Sequence, residues 1–395
     1  MLSPSFQNAE LKDIYETFVK FRENMKRAIF GQYQDFGIRV YVNAHFVPTQ
    51  LEPWGKYVTA FLAFGSPGSG KTTGAFAGSC MMRADRNVVS GVEDITPSML
   101  IGHVEVVPKL DGTTIDVFRP GALVPGRCCN ILDEVSRLNP ACHAPLANIL
   151  ADGVIRVGGM EKACAPEGQP LINTLTANLA TSGGVKTLNE FLRDRLAASG
   201  ILVTPWKDED HVRRLLRLKA HWRRVKEEGV LDPFMNPEDV IRAHEAIMEQ
   251  VGCPKEIEDY EVRILSGVIA DLAHANWASR YKAPPRWKEA FRDKRGGAAR
   301  ELPDEPLICE VGGRVPQQFY GLVQADTFLT YGSLEATTEA VQQMLKAIML
   351  HRLMYGLNEG GYKILGKVYN NELVPFLKDT MDWIISLVKA PKQRR

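Results

Sequence analysis

Gly65-Ser66-Pro67-Gly68-Ser69-Gly70-Lys71-Thr72 follows the apolar run Val58 to Phe64 and satisfies the spacing G-x-x-x-x-G-K-[ST]. Glycines at 65, 68 and 70 let the backbone take positive φ and turn consecutive N–H groups toward a polyphosphate, while the N-terminus of a following helix adds its positive dipole end. In such a loop Lys71 reaches the β- and γ-phosphates and the Thr72 hydroxyl ligates Mg²⁺, with Thr73 completing the candidate contact set. A glycine-rich turn holding a chance lysine is the bland alternative. The strand-like run before it and the helix-forming Ala75 to Met82 after it argue for the phosphate site, hence for ATP with Mg²⁺.

A second element is Asn130-Ile131-Leu132-Asp133-Glu134, an apolar run ending in two carboxylates. Asp133 at a strand's carboxyl edge would hold Mg²⁺ through water, and Glu134 would polarise the water that attacks a γ-phosphate. Acidic pairs at strand ends are usually solvated turns, so the pair gains meaning only beside the phosphate loop. Ligands bind outside the carboxyl ends of parallel strands, so the two motifs meet if their strands are neighbours.

Those side chains need a sheet to hold them. Apolar runs at Val58 to Phe64, Asn87 to Ser90, Cys128 to Leu132, Leu171 to Leu175 and Ile201 to Thr204 alternate with helical patterns, which predicts a parallel α/β sheet. Between the second and third runs, Asp111-Gly112 separates two alternating segments spanning Glu105 to Phe118, a strong hairpin signal for an insertion projecting from the core. Beyond Pro205 helical patterns dominate, and Asn236-Pro237-Glu238-Asp239 reads as a helix start with Asn as cap. With 395 residues, two domains are expected: 1–205 as an N-terminal helix plus nucleotide-binding domain, and 206–395 as an α-helical lid.

Composition excludes a global field. Forty-eight Lys plus Arg against 47 Asp plus Glu leave a net charge of +1, so an anionic partner must be met by a local patch. The seven cysteines, at 80, 128, 129, 142, 164, 253 and 309, show neither C-x-x-C nor a His/Cys ligand spacing and read as reduced thiols of a cytoplasmic protein without a cysteine metal site. Residues 1–29 are interrupted by Glu10, Lys12, Asp13, Glu16, Lys20, Arg22 and Glu23 and read as an amphipathic helix rather than a signal peptide or membrane span.

Further blocks carry a resemblance. Gly31-Gln32, the phosphate loop, Thr96-Pro97-Ser98-Met99-Leu100-Ile101-Gly102 and Phe118-Arg119-Pro120-Gly121-Ala122-Leu123 come first. Leu132 to Pro140, Leu146 to Gly153, Thr176-Ala177-Asn178 and Asp194-Arg195-Leu196 follow. In this order they resemble an AAA+ ATPase of the MoxR branch over about residues 28 to 204, with a fainter likeness in 230–275 and 330–355. The resemblance implies a P-loop AAA+ parallel sheet with helices on both faces, followed by an α-helical lid. It also implies ATP held between subunits of a homo-oligomeric, usually hexameric, ring, with Gln32 near the nucleotide. Asn178 would be the residue that helps place the attacking water, and a trans arginine would come from Asn189 to Leu196, where both Arg195 and Arg193 are candidates and Arg195 falls on the family's block. Family members act on partner proteins, commonly ones with a von Willebrand type A domain.

One family feature is missing. The lid helix that usually opens with Ser-Pro-Arg aligns with Ser333-Leu334-Glu335, and a carboxylate there would repel nucleotide. Either the alignment is shifted, or Arg314 or another basic residue supplies the charge, or the lid engages nucleotide differently. The stretch 277–325, with Pro284-Pro285, the basic run Arg286 to Arg295, Gly296-Gly297 and Gly312-Gly313, reads as an insertion, a solvated loop in preference to a partner site. In Arg213 to Lys226 the apolar residues Leu215, Leu218, Trp222 and Val225 form one stripe, so the arginines read as the exposed face opposite a packed one. The expected activity is an ATP-driven remodelling ring; a nucleic-acid motor, such as a viral or mobile-element DNA remodeller, is the alternative, and a non-hydrolysing scaffold is disfavoured by the presence of Asp133 and Glu134.

Overall fold

The computed structural model describes residue 6 and residues 8–29, 35–49, 56–65, 68–178, 188–202, 209–274, 277–291, 307–308, 312–357 and 359–388. Ser66, Pro67, Gly31, Gln32, the expected boundary at Pro205 and the Arg292 to Gly297 part of the basic run lie outside them.

Helix α1 (Ala9–Ala28) starts where the Asn8 carboxamide accepts from the Glu10 N–H at 2.9 Å. Leu11, Ile14, Phe18, Phe21 and Met25 fall on one face and are buried, as the amphipathic reading requires. After α2 (Asp35–Ala44) the chain enters β1 (Val58–Gly65), all eight residues of which are buried. A strand apolar on both faces belongs inside a parallel sheet, and β1 is an interior strand.

Around it lie α3 (Lys71–Met81), β2 (Arg86–Ser90), α4 (Pro97–Ile101), the antiparallel hairpin β3 (His103–Pro108) and β4 (Thr114–Arg119), then β5 (Cys129–Asp133) and α5 (His143–Asp152). A second hairpin, β6 (Val154–Val157) with β7 (Met160–Ala163), precedes β8 (Leu171–Ala177), α6 (Glu190–Arg195) and β9 (Ala198–Leu202). The main sheet has the order β2-β5-β8-β1-β9 and is parallel throughout. Its last strand begins three residues before the sequence placed it, and the β6–β7 hairpin was not read from sequence at all. The Asp111-Gly112 turn does join β3 to β4, with Gly112 at φ +81° and the Asp111 carboxylate accepting from the Thr113 N–H at 2.9 Å.

Four strands are stitched by asparagines. Asn87 donates to Asn130 at 3.0 Å and Asn130 to Asn173 at 2.9 Å, the three in one register row of β2, β5 and β8, and Asn173 donates to the carbonyl of Thr59, one position back on β1, at 3.0 Å. These side chains are buried, and a buried amide left unpaired costs about 1–3 kcal/mol. A one-residue slip of any strand would break the row, so it fixes the alignment of the strand ends where the candidate site sits.

The C-terminal half is helical: α7 (Glu209–Leu216), α8 (Leu218–Glu227), α9 (Glu238–Gln250), α10 (Lys255–Val262), a π-helical stretch over Arg263–Ile269 leading into α11 (Ala270–Leu272), and α12 (Trp277–Arg280). There follow α13 (Val315–Tyr331), α14 (Thr338–Tyr355), α15 (Glu359–Tyr369) and α16 (Leu373–Leu387). Helices α13 and α14 are buried along most of their length and share one hydrophobic core with the sheet. Asp326 of α13, fully buried, accepts from Arg39 Nε at 2.6 Å and from Asn43 at 2.8 Å, tying the helical half to α2.

Three sequence readings are corrected here. The basic helix expected over 213–226 is two helices broken at Arg217. Leu216 and Leu218 beside the break are 82% and 42% exposed, and of the expected stripe Trp222 is half-buried and Val225 buried, while the Leu215 side chain lies outside the described residues. Helix α9 begins at Glu238, and Asn236 contributes its backbone N–H to the Asp239 carboxylate at 2.8 Å, the reciprocal half of a capping box, rather than a side-chain cap. The stretch 277–325 is not a solvated loop where it is described. Trp277 and Trp287 pack edge-on with Trp383, at ring centroids 5.6 and 5.0 Å, Arg286 lies over the Tyr369 ring at 4.9 Å, and 315–325 is the first part of buried α13. Aromatic packing outweighs the local Pro, Gly and charge signals.

Candidate functional site

The carboxyl ends of β1, β5 and β8 bring the sequence-derived residues together. Gly65 ends β1, the backbone turns through Gly68 and Gly70 at φ +78° and +89°, and Lys71 opens α3. Both conformations are left-handed, open to glycine at little cost, and they aim the first N–H groups of α3 into the space beyond the strands. Thr72 and Thr73 stand on the first turn of that helix. Helix α1 backs the loop: a Cβ at Gly70 would meet the Ile29 side chain at 3.7 Å, and one at Gly74 would touch Ile29 and Met25.

Lys71 is 8% exposed and donates to the Gly65 carbonyl at 3.0 Å and the Asn178 side-chain oxygen at 3.3 Å. Burial pulls its ammonium pKa down, against the opposing pull of Asp133 and Glu134. Thr72 Oγ1 donates to Asp133 Oδ1 at 2.6 Å, and Thr176 Oγ1 donates to the same oxygen at 2.5 Å. Thr72 and Asp133 thus present hard oxygen donors side by side, the donor chemistry a Mg²⁺ ion completed by water and phosphate oxygens takes.

Glu134 sits just past β5 at φ +51°, a conformation costing a non-glycine residue of order 1–3 kcal/mol. Three contacts hold it there. Its N–H donates to Thr176 Oγ1 at 2.9 Å, Asn178 Nδ2 donates to Glu134 Oε1 at 3.2 Å, and Arg137 pairs with Oε2 at 3.0 Å. The β2 side closes over its backbone, where a Cβ at Gly91 would fall 2.3 Å from the Glu134 carbonyl oxygen. Thr176, Arg137 and Gly91 were given no role from sequence. The signals available were a hydroxyl two residues before Asn178 and an arginine three residues after Glu134, neither specific by itself.

Arg193 and Arg195 are not brought to this cluster. They lie on α6, which leads into β9. Ala198 pairs with Phe61, and Leu202 pairs with Gly65, so β9 starts four register positions, roughly 13 Å, back from the phosphate loop of its own chain, and α6 ends before that start. Arg193 Nη1 donates to the Tyr355 carbonyl at 2.8 Å, and Arg195 Nη1 to the Phe191 carbonyl at 2.9 Å. Burial, and next the Arg314 cation, lower the Arg195 pKa, while Asp194 and Asp152 oppose them. Ser333 to Glu335, where the lid arginine was sought, form the α13–α14 connection and bridge to Gly252.

Residues 60–196 match the family model of the AAA domain, dynein-related subfamily. A crystal structure from Cytophaga hutchinsonii ATCC 33406, of a protein described as an ATPase, is similar in fold. The TM-score is 0.60 at 14% identity, over 94% of this chain and 96% of that one. No curated protein matches the chain by sequence. Among the described residues no helix is long and apolar enough to cross a membrane. Residues 60–196, the segment that carries both carboxylates, thus match an AAA domain within a P-loop sheet followed by a helical region, and the chain is an ATPase.

Proposed function

We propose that the chain is a MoxR-like AAA+ ATPase that binds ATP and Mg²⁺ between subunits of a ring, hexameric in the family it resembles, and uses hydrolysis to remodel a partner protein. The observation carrying the catalytic part is the chain of contacts from Lys71 through Asn178 to Glu134 beside the pair Thr72–Asp133. One amide touches both the phosphate-binding cation and the water-activating base, so departure of the γ-phosphate is felt by both. Bound Mg²⁺ would neutralise phosphate charge next to Thr72 and Asp133. Glu134 takes the proton of the attacking water, and Arg195 of a neighbouring subunit meets the charge developing on the γ-phosphate.

The remodelling part is supported by the β3–β4 hairpin. Its tip carries Leu110 fully exposed, with Val106 and Ile115 at 61% and 44%, an apolar end held out from the sheet. Such an end suits transient grip on a protein segment. The partner class carried over from the family is a protein with a von Willebrand type A domain, and the setting is the cytoplasm.

One observation favours the second reading, a motor on nucleic acid. Arg213 on α7, Arg217 at the break, and Lys219, Arg223, Arg224 and Lys226 on α8 are exposed beside the outward Leu216 and Leu218, so the basic face is not merely the back of a packed stripe. The ATPase rate measured at about 150 mM salt, where surface charges are screened beyond roughly 8 Å, separates the two. Severalfold stimulation by a von Willebrand domain protein encoded beside this chain, with indifference to single- and double-stranded DNA, supports remodelling. Severalfold stimulation by DNA that vanishes when Arg213, Arg217 and Arg224 are changed to Ala overturns it.

A further inference from the structure

Helix α6 ends in three consecutive charged residues, and the C-terminal helices hold two of them. Arg193 reaches the Tyr355 carbonyl, the last of α14, where a cation satisfies an orphan helix-end acceptor. Asp194 Oδ2 accepts from Arg314 Nη1 at 2.7 Å, just before α13, and its backbone carbonyl accepts from Gln318 at 3.4 Å. Two residues on, the Leu196 carbonyl accepts from Arg352 of α14 at 3.4 Å; that arginine is 6% exposed, and its pKa is lowered to about 9 by burial. Arg195 instead donates within its own helix, to the residue one turn back.

The charge count at this junction is uneven. Arg314 and Arg195 both feel Asp194, and Arg314 is the cation that most lowers the Arg195 pKa. Asp194 Oδ2 is engaged by Arg314, and its Oδ1 is buried against Gly312, where a Cβ would fall 1.7 Å away. With Arg314 in place the carboxylate is turned toward α13. Without it, the cations that still act with Asp194 are Arg195 and the buried Arg352; Arg352 is held by the Ile348 and Leu196 carbonyls and Gln318, which leaves Arg195 as the one to be drawn inward.

We propose that Arg314 is a positioning residue for the trans arginine. By holding Asp194 it keeps Arg195 available to the neighbouring subunit, so a shift of the C-terminal helices in one chain changes hydrolysis in the next. This rests on the reading of Arg195 as the residue that enters the neighbouring site. It also removes Arg314 from the candidates for the missing lid arginine, because its guanidinium is committed to Asp194 at the end of the sheet away from the phosphate loop.

Mixed oligomers test it. Chains carrying Glu134→Gln are silent at their own site but still offer Arg195 to a neighbour. Mixed in equal proportion with unmodified chains, the donors Glu134→Gln, Glu134→Gln/Arg314→Ala and Glu134→Gln/Arg195→Ala are compared by the turnover that remains. The Arg314→Ala donor should lower turnover severalfold below the Glu134→Gln donor, approaching the Arg195→Ala donor, with the apparent KM for ATP within about twofold. Arg314→Lys should restore most of the difference. Gly312→Ala, which pushes the Asp194 carboxylate aside without altering a charge, should reproduce the loss if Arg314→Ala folds poorly. An Arg314→Ala donor indistinguishable from the Glu134→Gln donor, while the Arg195→Ala donor is worse, overturns the clasp alone. If the Arg195→Ala donor is also indistinguishable, the trans reading falls and the clasp with it.

Discussion

Asn178 stands between Lys71 and Glu134, its oxygen accepting from the ammonium at 3.3 Å and its nitrogen donating to the carboxylate at 3.2 Å. A single amide can serve both only in one flip state, since it presents one acceptor and one donor edge. Asn178→Asp replaces the donor edge by a second acceptor facing Glu134. It should cut kcat by about 10²-fold and leave ATP affinity within severalfold, because the Lys71 contact survives while the base is repelled. Single-turnover hydrolysis together with nucleotide titration separates the two effects. A loss of affinity with single-turnover hydrolysis unchanged would assign Asn178 to ground-state binding.

Lys71 and Glu134 should separate in the same way. Lys71→Ala removes a buried cation from the phosphate loop and should abolish tight ATP binding, whereas Glu134→Gln keeps the Asn178 contact and should bind ATP while losing most turnover. Filter binding and phosphate release check both. Glu134→Gln hydrolysing at the parent rate would remove Glu134 from the mechanism.

The placement of the candidate site was legible in sequence because its signals are local. The phosphate loop needs glycines at fixed offsets, and Asp133 and Glu134 end an apolar strand, so each motif carries its geometry in a few adjacent residues. What could not be read depends on register or on distant packing. Asn is poorly suited to strands, so nothing at 87, 130 and 173 announces a buried row; only the pairing of three strands makes it one. The burial of Trp277 and Trp287 likewise comes from tertiary partners on α15 and α16, Trp383 and Phe376 against the rings and the Tyr369 hydroxyl on the Trp287 N–H. Arg314 and Asp194 are 120 residues apart, and no pattern links them.

The asparagine row gives a stability prediction. Asn130 is its middle member, accepting from Asn87 and donating to Asn173, so Asn130→Ala orphans one buried donor and one buried acceptor. A cost of about 1–3 kcal/mol per unsatisfied group should lower the thermal midpoint clearly. The companion variant Asn130→Asp keeps the acceptor toward Asn87 but sets a second acceptor against the Asn173 oxygen and buries an unpaired carboxylate, and should melt below Asn130→Ala at neutral pH. Thermal melts of all three, read in the far ultraviolet, decide; an unchanged midpoint for Asn130→Ala would show that the row carries no stability.

Glu261 gives a pH prediction with a definite sign. Its carboxyl is buried in α10 with Oε1 unpaired, and burial, then the neighbouring Glu258, raise its pKa to about 8 from an ordinary 4.5. The folded state favours the protonated form. Its contribution is therefore fully present below pH 4.5 and is lost as pH rises through about 8. Glu261→Gln, neutral at every pH, should melt close to the parent near pH 5 and progressively above it toward pH 9. A difference that stays constant across that window would show that Glu261 is not held protonated.

The hairpin prediction separates chemistry from work. The β3–β4 pair rises from Gly102 and returns at Arg119, and its apolar tip, Val106 through Ile115, lies beyond the residues that contact Lys71, Thr72 or Glu134. Deleting residues 107–114 should therefore keep basal ATP turnover within about twofold while removing any stimulation by a protein partner. Leu110→Asp, which places a charge on the fully exposed apolar residue, should weaken that stimulation without touching the fold. Both variants are measured against the parent for ATPase rate alone and with partner added. A deletion that lowers basal turnover tenfold would place the hairpin in the catalytic cycle itself, and a Leu110→Asp variant fully stimulated by partner would remove the tip from the gripping role.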